Sequence, residues 1–301
     1  MKIPQKYKGI IYICCSAFCF AFMAVFVRLS GDLPTIQKTF FRNFIALFVA
    51  LAVLKKEHVP LKPAARKNLF PLIVRSLGGV LGMIGNFYAI DRLVLSDALM
   101  LNKMSPFFAI VFSYIFLKEK LTPFQGGVLI AAFAGSMFII KPSFTNVEFF
   151  PALAGFLGGV GAGLAYACVR YLGQHGEKGA FIVVFFSAFS CAFCLPFMFL
   201  DFHPMSLSQL LCLLGAGTAA AGGQFAITAA YSCAPAREIS IYDYSQLIFS
   251  TALGFMFFGD IPDGWSFIGY FIIIAMAALN FIYNSRRTAE SAPNTEKTGH
   301  P

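Results

Sequence analysis

Charged and amide side chains occur in two segments that otherwise consist mainly of apolar residues. The segment "DALMLNKMSPFFAIVF" contains Asn102 and Lys103, and the segment "IYDYSQL" contains Asp243, Tyr244 and Gln246 within one helical turn. A cation and a carboxylate in apolar surroundings either pair with each other or bind the charged groups of a ligand. Histidine, a frequent general base and metal ligand, is absent from the apolar segments. These residue types therefore predict binding of a polar solute rather than catalysis.

The composition predicts an all-α integral membrane protein. Of the 301 residues, 58% are hydrophobic and 12% are charged, and the mean hydropathy is +0.74; no soluble globular class combines such values. A helix needs about 20 apolar residues to cross the hydrocarbon core. Division at charge clusters and at Pro and Gly predicts ten transmembrane helices, at 9–29, 36–54, 69–90, 93–117, 121–140, 149–172, 179–200, 208–231, 238–258 and 264–284.

The basic residues predict the orientation of the chain in the membrane. The net charge is +9, but Lys and Arg lie in short loops and form no stripe that nucleic acid could bind. With the N-terminus inside, 16 of the 23 Lys and Arg residues fall on the cytoplasmic side. We therefore predict an inner-membrane, multi-pass protein with both termini in the cytoplasm. The eight Cys lie inside apolar segments and the four His outside them, so we predict no metal site and no cofactor.

The two halves of the sequence align with each other at a shift of about 141 residues. The aligned polar pairs are Asp97 with Glu238, Asn102 with Asp243 and Glu119 with Asp260, and "VRLSG" aligns with "VRYLG". Because five helices is an odd number, the second copy must lie upside down relative to the first, which is the inverted repeat of secondary transporters. The predicted domains are a first five-helix repeat at 1–142, a second at 143–285, and a disordered cytoplasmic tail at 286–301.

Several of these segments resemble those of a known family. These segments are Pro106, the stretch "FLKEKLTPFQGGVLIAAFAGSMFII" and the less similar counterpart of that stretch in the second half, "FFGDIPDGWSFIGYFIIIAMAALNFI". They are similar to segments of the drug/metabolite transporter superfamily, specifically the EamA-type ten-helix carriers. The resemblance implies two inverted five-helix repeats and a central cavity lined mainly by helices one, three, four, six, eight and nine. It also implies that Glu119, at the end of the fourth helix, is the most conserved polar residue of the family, whereas Asp260 stands where the second half usually has Glu.

Lys103 is predicted to lie close to the middle of the bilayer. It is about 15 Å from the outer end of its helix at a rise of 1.5 Å per residue, so its side chain cannot easily reach either surface. Two hypotheses follow. In the first, Lys103 and Asp243 form an ion pair that a substrate breaks. In the second, Lys103 binds a substrate carboxylate while Asp243 binds an amine or a proton.

The remaining candidates are neutral polar residues and charges closer to the membrane surfaces. Asn86, Tyr166, Gln224 and Thr228 are expected to line the cavity or to form hydrogen bonds between helices. Arg75 lies six residues past the inner end of its helix and is expected to snorkel to the surface. Arg42 is expected near the outer surface, and two roles are considered for it: lining a vestibule of the cavity, or anchoring its helix at the membrane interface. Pro106 and the glycine-rich stretches either allow kinks and rocking or serve static packing.

These observations predict a carrier that moves a small polar metabolite by alternating access, with amino acids and their derivatives favoured and proton coupling as an option. It would be a monomer or a weak homo-oligomer whose partners are its substrate and the lipid bilayer. One alternative is an exporter of cationic or hydrophobic compounds on the same fold, with Asp243 and aromatic residues as the binding surface. The remote alternatives are a membrane-embedded enzyme and a passive channel or scaffold.

Overall fold

The structure is a computed structural model that describes residues 5–93, 95–141 and 148–290, and the regular elements in these ranges are all helical. The α-helices are α1 Gln5–Leu29, α2 Thr35–Lys56, α3 Leu69–Arg92, α4 Leu95–Asn102, α5 Ser105–Leu117, α6 Pro123–Ile140, α7 Phe149–Gln174, α8 Gly179–Leu200, α9 Leu207–Cys233, α10 Ala236–Ile239, α11 Ser245–Phe258 and α12 Gly264–Glu290. Two 3₁₀ segments, Arg66–Asn68 and Ser240–Tyr244, precede α3 and α11.

Within the described ranges, nine helical segments are long and apolar enough to cross a membrane, and one of them, Leu99–Leu117, combines the end of α4 with α5. The predicted span at 238–258 is not among them, because α10, the 3₁₀ segment Ser240–Tyr244 and α11 divide it into three short pieces. The predicted tail also begins later than expected. Helix α12 continues to Glu290, so 286–290 are helical, and the rest of the predicted tail, 291–301, lies outside the described residues.

The fourth predicted span is also interrupted. Helix α4 ends at Asn102, a turn occupies Lys103 and Met104, and α5 begins at Ser105. Pro106 lies in the first turn of α5. Because proline has no backbone N–H, it cannot donate a hydrogen bond to the carbonyl of Asn102 four residues earlier. The interruption therefore places Lys103 in a break between two half-helices.

The interruption between α10 and α11 lies about 141 residues after the one between α4 and α5. Side-chain hydrogen bonds hold its 3₁₀ segment: the hydroxyls of Tyr231 and Ser240 are 3.2 Å apart, and the Tyr244 hydroxyl donates to the carbonyl of Lys103 at 3.1 Å. Helices α5 and α11 also end alike. Each is followed by a residue in the left-handed conformation, Lys118 with φ 56° and Gly259 with φ 70°.

The helix contacts have a reciprocal pattern. The contact of α3 with α7 corresponds to that of α9 with α1. The contact of α5 with α7 corresponds to that of α11 with α1, and the contact of α2 with α9 corresponds to that of α8 with α3. Two further large contacts, α2 with α8 and α6 with α12, join elements that the sequence alignment makes equivalent. These contacts correspond in pairs when the halves are exchanged, whereas the contact of α7 with α9 has no counterpart of similar size between α1 and α3.

Contacts between helix ends define two faces of the bundle. At one face, the rings of Tyr7 in α1 and Phe281 in α12 are 5.5 Å apart, and Arg237 in α10 donates to the carbonyl of Lys120 at 2.7 Å. We call it the Glu119 face, because Glu119 adjoins Lys120. At the opposite face, here the Asp260 face, Gln209 at the start of α9 donates to the carbonyl of Ser30 after α1 at 3.2 Å. The start of α1 and the end of α12 therefore lie on one side.

Glycines allow α3 and α7 to approach closely. A Cβ atom added at Gly82 would lie 2.9 Å from the Gly158 carbonyl oxygen, and one added at Gly161 would lie 2.6 Å from the Gly78 carbonyl oxygen. Real Cβ atoms essentially never come so close to backbone atoms. The two glycine-rich stretches are therefore the surfaces through which these helices pack.

We expect Gly161→Ala to destabilise the protein by about 1–3 kcal/mol, because its methyl group would push α3 and α7 apart. The matched control is Gly127→Ala in α6, where a Cβ atom would meet nothing within 4 Å. Since a helical Gly costs roughly 0.5–1 kcal/mol relative to Ala, this control should melt at the same or a slightly higher temperature. Thermal unfolding in detergent measures both, and equal melting temperatures would contradict the packing argument.

Candidate functional site

Lys103 and Asp243 form a buried ion pair between the two interrupted helices. The Lys103 Nζ donates to Asp243 Oδ2 at 3.0 Å and to Gln246 Oε1 at 2.7 Å, and it lies 3.4 Å from the Asp243 carbonyl oxygen. Both side chains are less than one-tenth exposed, at 6% and 9%. The three contacts match the three donors of an ammonium group. This is the ion pair of the first hypothesis, with Gln246 as an additional partner.

A cavity of about 190 Å³ lies beside this pair. It receives side chains from α1, α2, α3, α4, α7, α8, α9 and α11, and its lining residues are Phe20, Met23, Arg42, Arg75, Gly79, Gly82, Met83, Asn86, Asn102, Ala162, Ala165, Tyr166, Phe186, Gln224 and Gln246. At about 30 Å³ per water molecule, this volume corresponds to roughly six waters. We call it the central cavity; its size suits a small metabolite.

Arg75 lines the central cavity and does not reach the surface. Its side chain extends from α3, Nη2 donates to Gln224 Oε1 at 3.0 Å, and the guanidinium carbon lies 3.7 Å above the Phe186 ring. The residue is 4% exposed, and its Nε and Nη1 atoms have no hydrogen-bond partner. The snorkelling expectation is therefore wrong, because the side chain points into protein, where an amide and a ring hold it.

Arg42, on α2, lines the same cavity and is 6% exposed. Its Nε lies 3.0 Å from the sulfur of Met23, and its Nη1 lies 3.1 Å from the sulfur of Met83. A thioether is only a weak acceptor, so these contacts compensate little of the charge. The interfacial-anchor interpretation does not hold, because the guanidinium is buried between helices.

No carboxylate within the described ranges lies within 4.0 Å of either guanidinium; the ion pairs found there involve other residues. Lys103 differs in this respect, because Asp243 balances its charge. The central cavity therefore contains two buried positive charges without a paired protein anion. Such charges are costly in an apolar environment unless a ligand or water compensates them.

The other predicted site residues divide into two groups. Asn86, Asn102 and Tyr166 line the central cavity, and the Oδ1 atom of Asn86 is buried without a partner. Tyr244 and Thr228 do not line it. Tyr244 is fully buried and donates to the backbone carbonyl of Lys103, so it stabilises the helix break, whereas Thr228 is 1% exposed and its hydroxyl has no hydrogen-bond partner.

Two further ion pairs, one at each face, include the predicted residues Glu119 and Asp260. At the Glu119 face, Arg170 Nε donates to Glu119 Oε1 at 2.9 Å, and both side chains are nearly buried, at 12% and 11% exposed. At the Asp260 face, Arg28 Nη1 donates to Asp260 Oδ2 at 2.6 Å, and these side chains are 59% and 54% exposed. Arg28 lies in the last turn of α1, and Arg170 lies four residues before the end of α7, the helix that begins the second half of the chain.

Sequence reasoning missed these arginines as partners, although a signal was present. The alignment of "VRLSG" with "VRYLG" brings Arg28 onto Arg170, and it also aligns Glu119 with Asp260. The apolar cavity residues, such as Phe20 and Phe186, had no comparable signal, because phenylalanine is abundant in every predicted span.

A second cavity, of about 400 Å³, lies between α4, α6, α11 and α12 near the Asp260 face. Its walls combine apolar side chains with the hydroxyls of Ser250, Thr251, Ser266 and Tyr270. Its one carboxylate, Asp260, is paired with Arg28. The smaller central cavity is the better candidate for a polar ligand, because only it contains buried charges without a paired protein ion.

Comparison with known proteins identifies the family. Residues 7–141 match the EamA-like transporter family. The chain is 30% identical to the pseudopaline exporter CntI of Pseudomonas aeruginosa over 93% of this chain and 98% of that protein. It is 25% identical to the riboflavin transporter of Vibrio cholerae over 90% of this chain and 92% of that protein.

A solved crystal structure has the same fold, with a TM-score of 0.79 at 17% sequence identity over 92% of this chain and 98% of that chain. The named relatives are transporters, and their lengths correspond to the whole of the helical bundle described above. The chain is a multi-pass membrane protein of the drug/metabolite transporter superfamily and belongs to its EamA-like transporter family.

Proposed function

We propose that this chain is a secondary transporter that moves a small polar metabolite with at least one negative group through the central cavity. The observation that carries the proposal is the presence of Arg42 and Arg75 in the cavity wall without a paired carboxylate. An intramembrane charge normally marks a substrate or ion pathway. The proposal includes a monomer or a weak homo-oligomer in the lipid bilayer.

The two named relatives carry different substrates, pseudopaline and riboflavin, so the family by itself does not identify the solute. Amino-acid derivatives with an acidic group suit the proposal. The alternative, an exporter of cationic compounds, needs a free anion in the cavity. Asp243 lies beside the cavity, but its carboxylate already accepts a hydrogen bond from Lys103, which also donates to Gln246. The charges thus favour an anion-bearing solute.

Alternating access is part of the proposal, and two ion pairs support it. Arg170 with Glu119 and Arg28 with Asp260 occupy aligned positions of the two halves at opposite faces. One pair is nearly buried and the other is exposed, which suits a carrier closed at the Glu119 face and more open at the Asp260 face. Two inverted repeats would exchange these roles when the carrier reorients. With the Lys and Arg asymmetry, we further propose that the Glu119 face is cytoplasmic in the inner membrane.

Two measurements test the proposal. The purified protein is screened by thermal shift against amino acids, organic acids, nucleosides and amines, because a ligand that binds only the folded state raises the melting temperature. Each ligand is then tested for saturable counterflow in proteoliposomes, with and without a pH gradient to detect proton coupling. We expect counterflow for solutes that carry an acidic group. Stabilisation by cations alone, or flux without counterflow, would contradict the proposal.

A further inference from the structure

We propose that the central cavity binds a small dianion, with Arg42 and Arg75 each holding negative charge of the ligand. This inference rests on the proposed function and specifies the substrate class of the same cavity. It begins from the charges. Asp243 neutralises Lys103, whereas Arg42 and Arg75 have no carboxylate within 4.0 Å among the described residues. A ligand with two negative charges would therefore balance the cavity.

The free donors of Arg75 indicate how the ligand binds. Nη2 is occupied by Gln224, but Nε and Nη1 are buried without partners. Because the side-on fork of a guanidinium pairs Nε with Nη2, these two free groups face different directions and can donate charge-assisted hydrogen bonds to two separate oxygen atoms. The Phe186 ring stacks on the guanidinium and fixes its plane. The arginine is thus positioned before the ligand arrives, which reduces the entropy that binding costs.

Arg42 offers a second position for negative charge in the same wall. Only thioether sulfurs contact its Nε and Nη1, and an anionic oxygen is a much stronger acceptor than sulfur. Met23 and Met83 are flexible and can move away from the guanidinium without disturbing a hydrogen-bond network. A ligand acid would therefore displace two weak contacts and gain charge-assisted hydrogen bonds.

The cavity discriminates against simple zwitterions. An ammonium group needs a carboxylate or several neutral acceptors, and the adjacent carboxylate, Asp243, already binds Lys103. Among the described lining side chains, Asn86 has a fully buried amide oxygen without a hydrogen-bond partner. That acceptor suits one N–H or O–H of a diacid. Amino acids without a second acidic group would leave the two guanidinium charges unbalanced.

The test measures dissociation constants of purified protein for five probes by isothermal titration calorimetry. Succinate and glutarate carry two carboxylates, glycerol 3-phosphate carries one phosphate monoester, acetate is a monoanion, and glycine is a zwitterion. We expect at least one of the three dianions to bind tenfold or more tightly than acetate and glycine. Which dianion binds separates carboxylates from phosphate as the source of the charge.

The same probes are then measured with Arg42→Gln and Arg75→Gln, and each variant should weaken the dianion at least tenfold. The matched control is Arg92→Gln, because Arg92 lies outside the central cavity, 5.7 Å from the ring of Tyr88. If Arg75→Gln fails to fold, Arg75→Lys keeps the charge but loses the planar array of guanidinium donors, and it should still weaken the dianion.

Two results would overturn the inference: glycine or acetate binding as tightly as every dianion, or arginine variants that bind dianions as well as the parent protein. If the dianions fail but another acid-bearing solute shows saturable counterflow, the inference is wrong and the proposed transport function stands. If no solute binds or shows counterflow, both are wrong.

Discussion

Lys103→Met is expected to lower the free energy of unfolding by about 3–5 kcal/mol, the effect typical of removing one partner of a buried ion pair. Met is similar to Lys in length, so the substitution removes charge rather than volume. The Asp243 carboxylate would then be buried without its cation, and Gln246 would lose the donor at 2.7 Å. Thermal or denaturant unfolding in detergent measures the change.

Asp243→Asn is the complementary variant, and we expect a loss of similar size, because it leaves the Lys103 ammonium without its anion. The double variant Lys103→Met with Asp243→Asn leaves neither charge unpaired and should regain most of the lost stability. The double-mutant cycle therefore gives a large coupling energy between the two positions. Strictly additive losses would show that the two side chains do not depend on each other.

Transport by the double variant separates a purely structural role of the Lys103–Asp243 pair from the first hypothesis, in which a substrate breaks the pair. If the pair serves only to hold the two helix breaks together, a stable double variant retains counterflow. If a substrate breaks the pair during transport, the double variant is stable but inactive. Either result is interpretable, because the stability measurement shows whether the variant is folded before transport is assayed.

Glu119→Gln is expected to open the Glu119 face, because it removes the anion from a nearly buried ion pair. The matched variant Asp260→Asn removes the anion from the exposed pair at the other face, which should cost only about 0.2–1 kcal/mol. If the substitution destabilises the state closed at the Glu119 face by about 1.4 kcal/mol relative to the open state, the ratio of open to closed molecules rises tenfold.

The readout is labelling of a cysteine introduced in the cavity wall. Ala165→Cys is a small change at a buried lining position, and a membrane-impermeant maleimide is applied from the Glu119 face of membrane vesicles. Site-resolved mass spectrometry separates this position from the eight native cysteines. We expect several-fold faster labelling with Glu119→Gln and little change with Asp260→Asn. Loss of stability without faster labelling would make the Glu119 pair a structural contact only.

Much of the membrane architecture could be predicted from the sequence. Long apolar segments separated by short basic loops predict transmembrane helices directly, because the hydrocarbon core requires about 20 apolar residues. The rare polar residues were equally informative. Lys103 and Asp243 were predicted as partners, since each is costly in an apolar segment without the other.

The breaks in two spans were only partly predictable. Pro106 indicated a kink beside Lys103, and α5 does begin there. The 3₁₀ segment Ser240–Tyr244 contains neither Pro nor Gly, and the hydroxyls of Tyr242 and Tyr244 donate to the backbone carbonyls of Ala277 and Lys103. These partners are distant in the sequence, so no local pattern could indicate the interruption.

The sequence by itself determined the class of the protein, its apolar helices and the few positions where charge enters the bilayer. Only the tertiary structure decided which charges are compensated. Lys103 pairs with Asp243, and Arg170 pairs with Glu119. Arg42 instead contacts two thioether sulfurs, and Arg75 contacts an amide and an aromatic ring. The physical reason is that the energy of a buried charge depends on groups within a few ångströms, and those groups are brought together by helix packing rather than by sequence proximity.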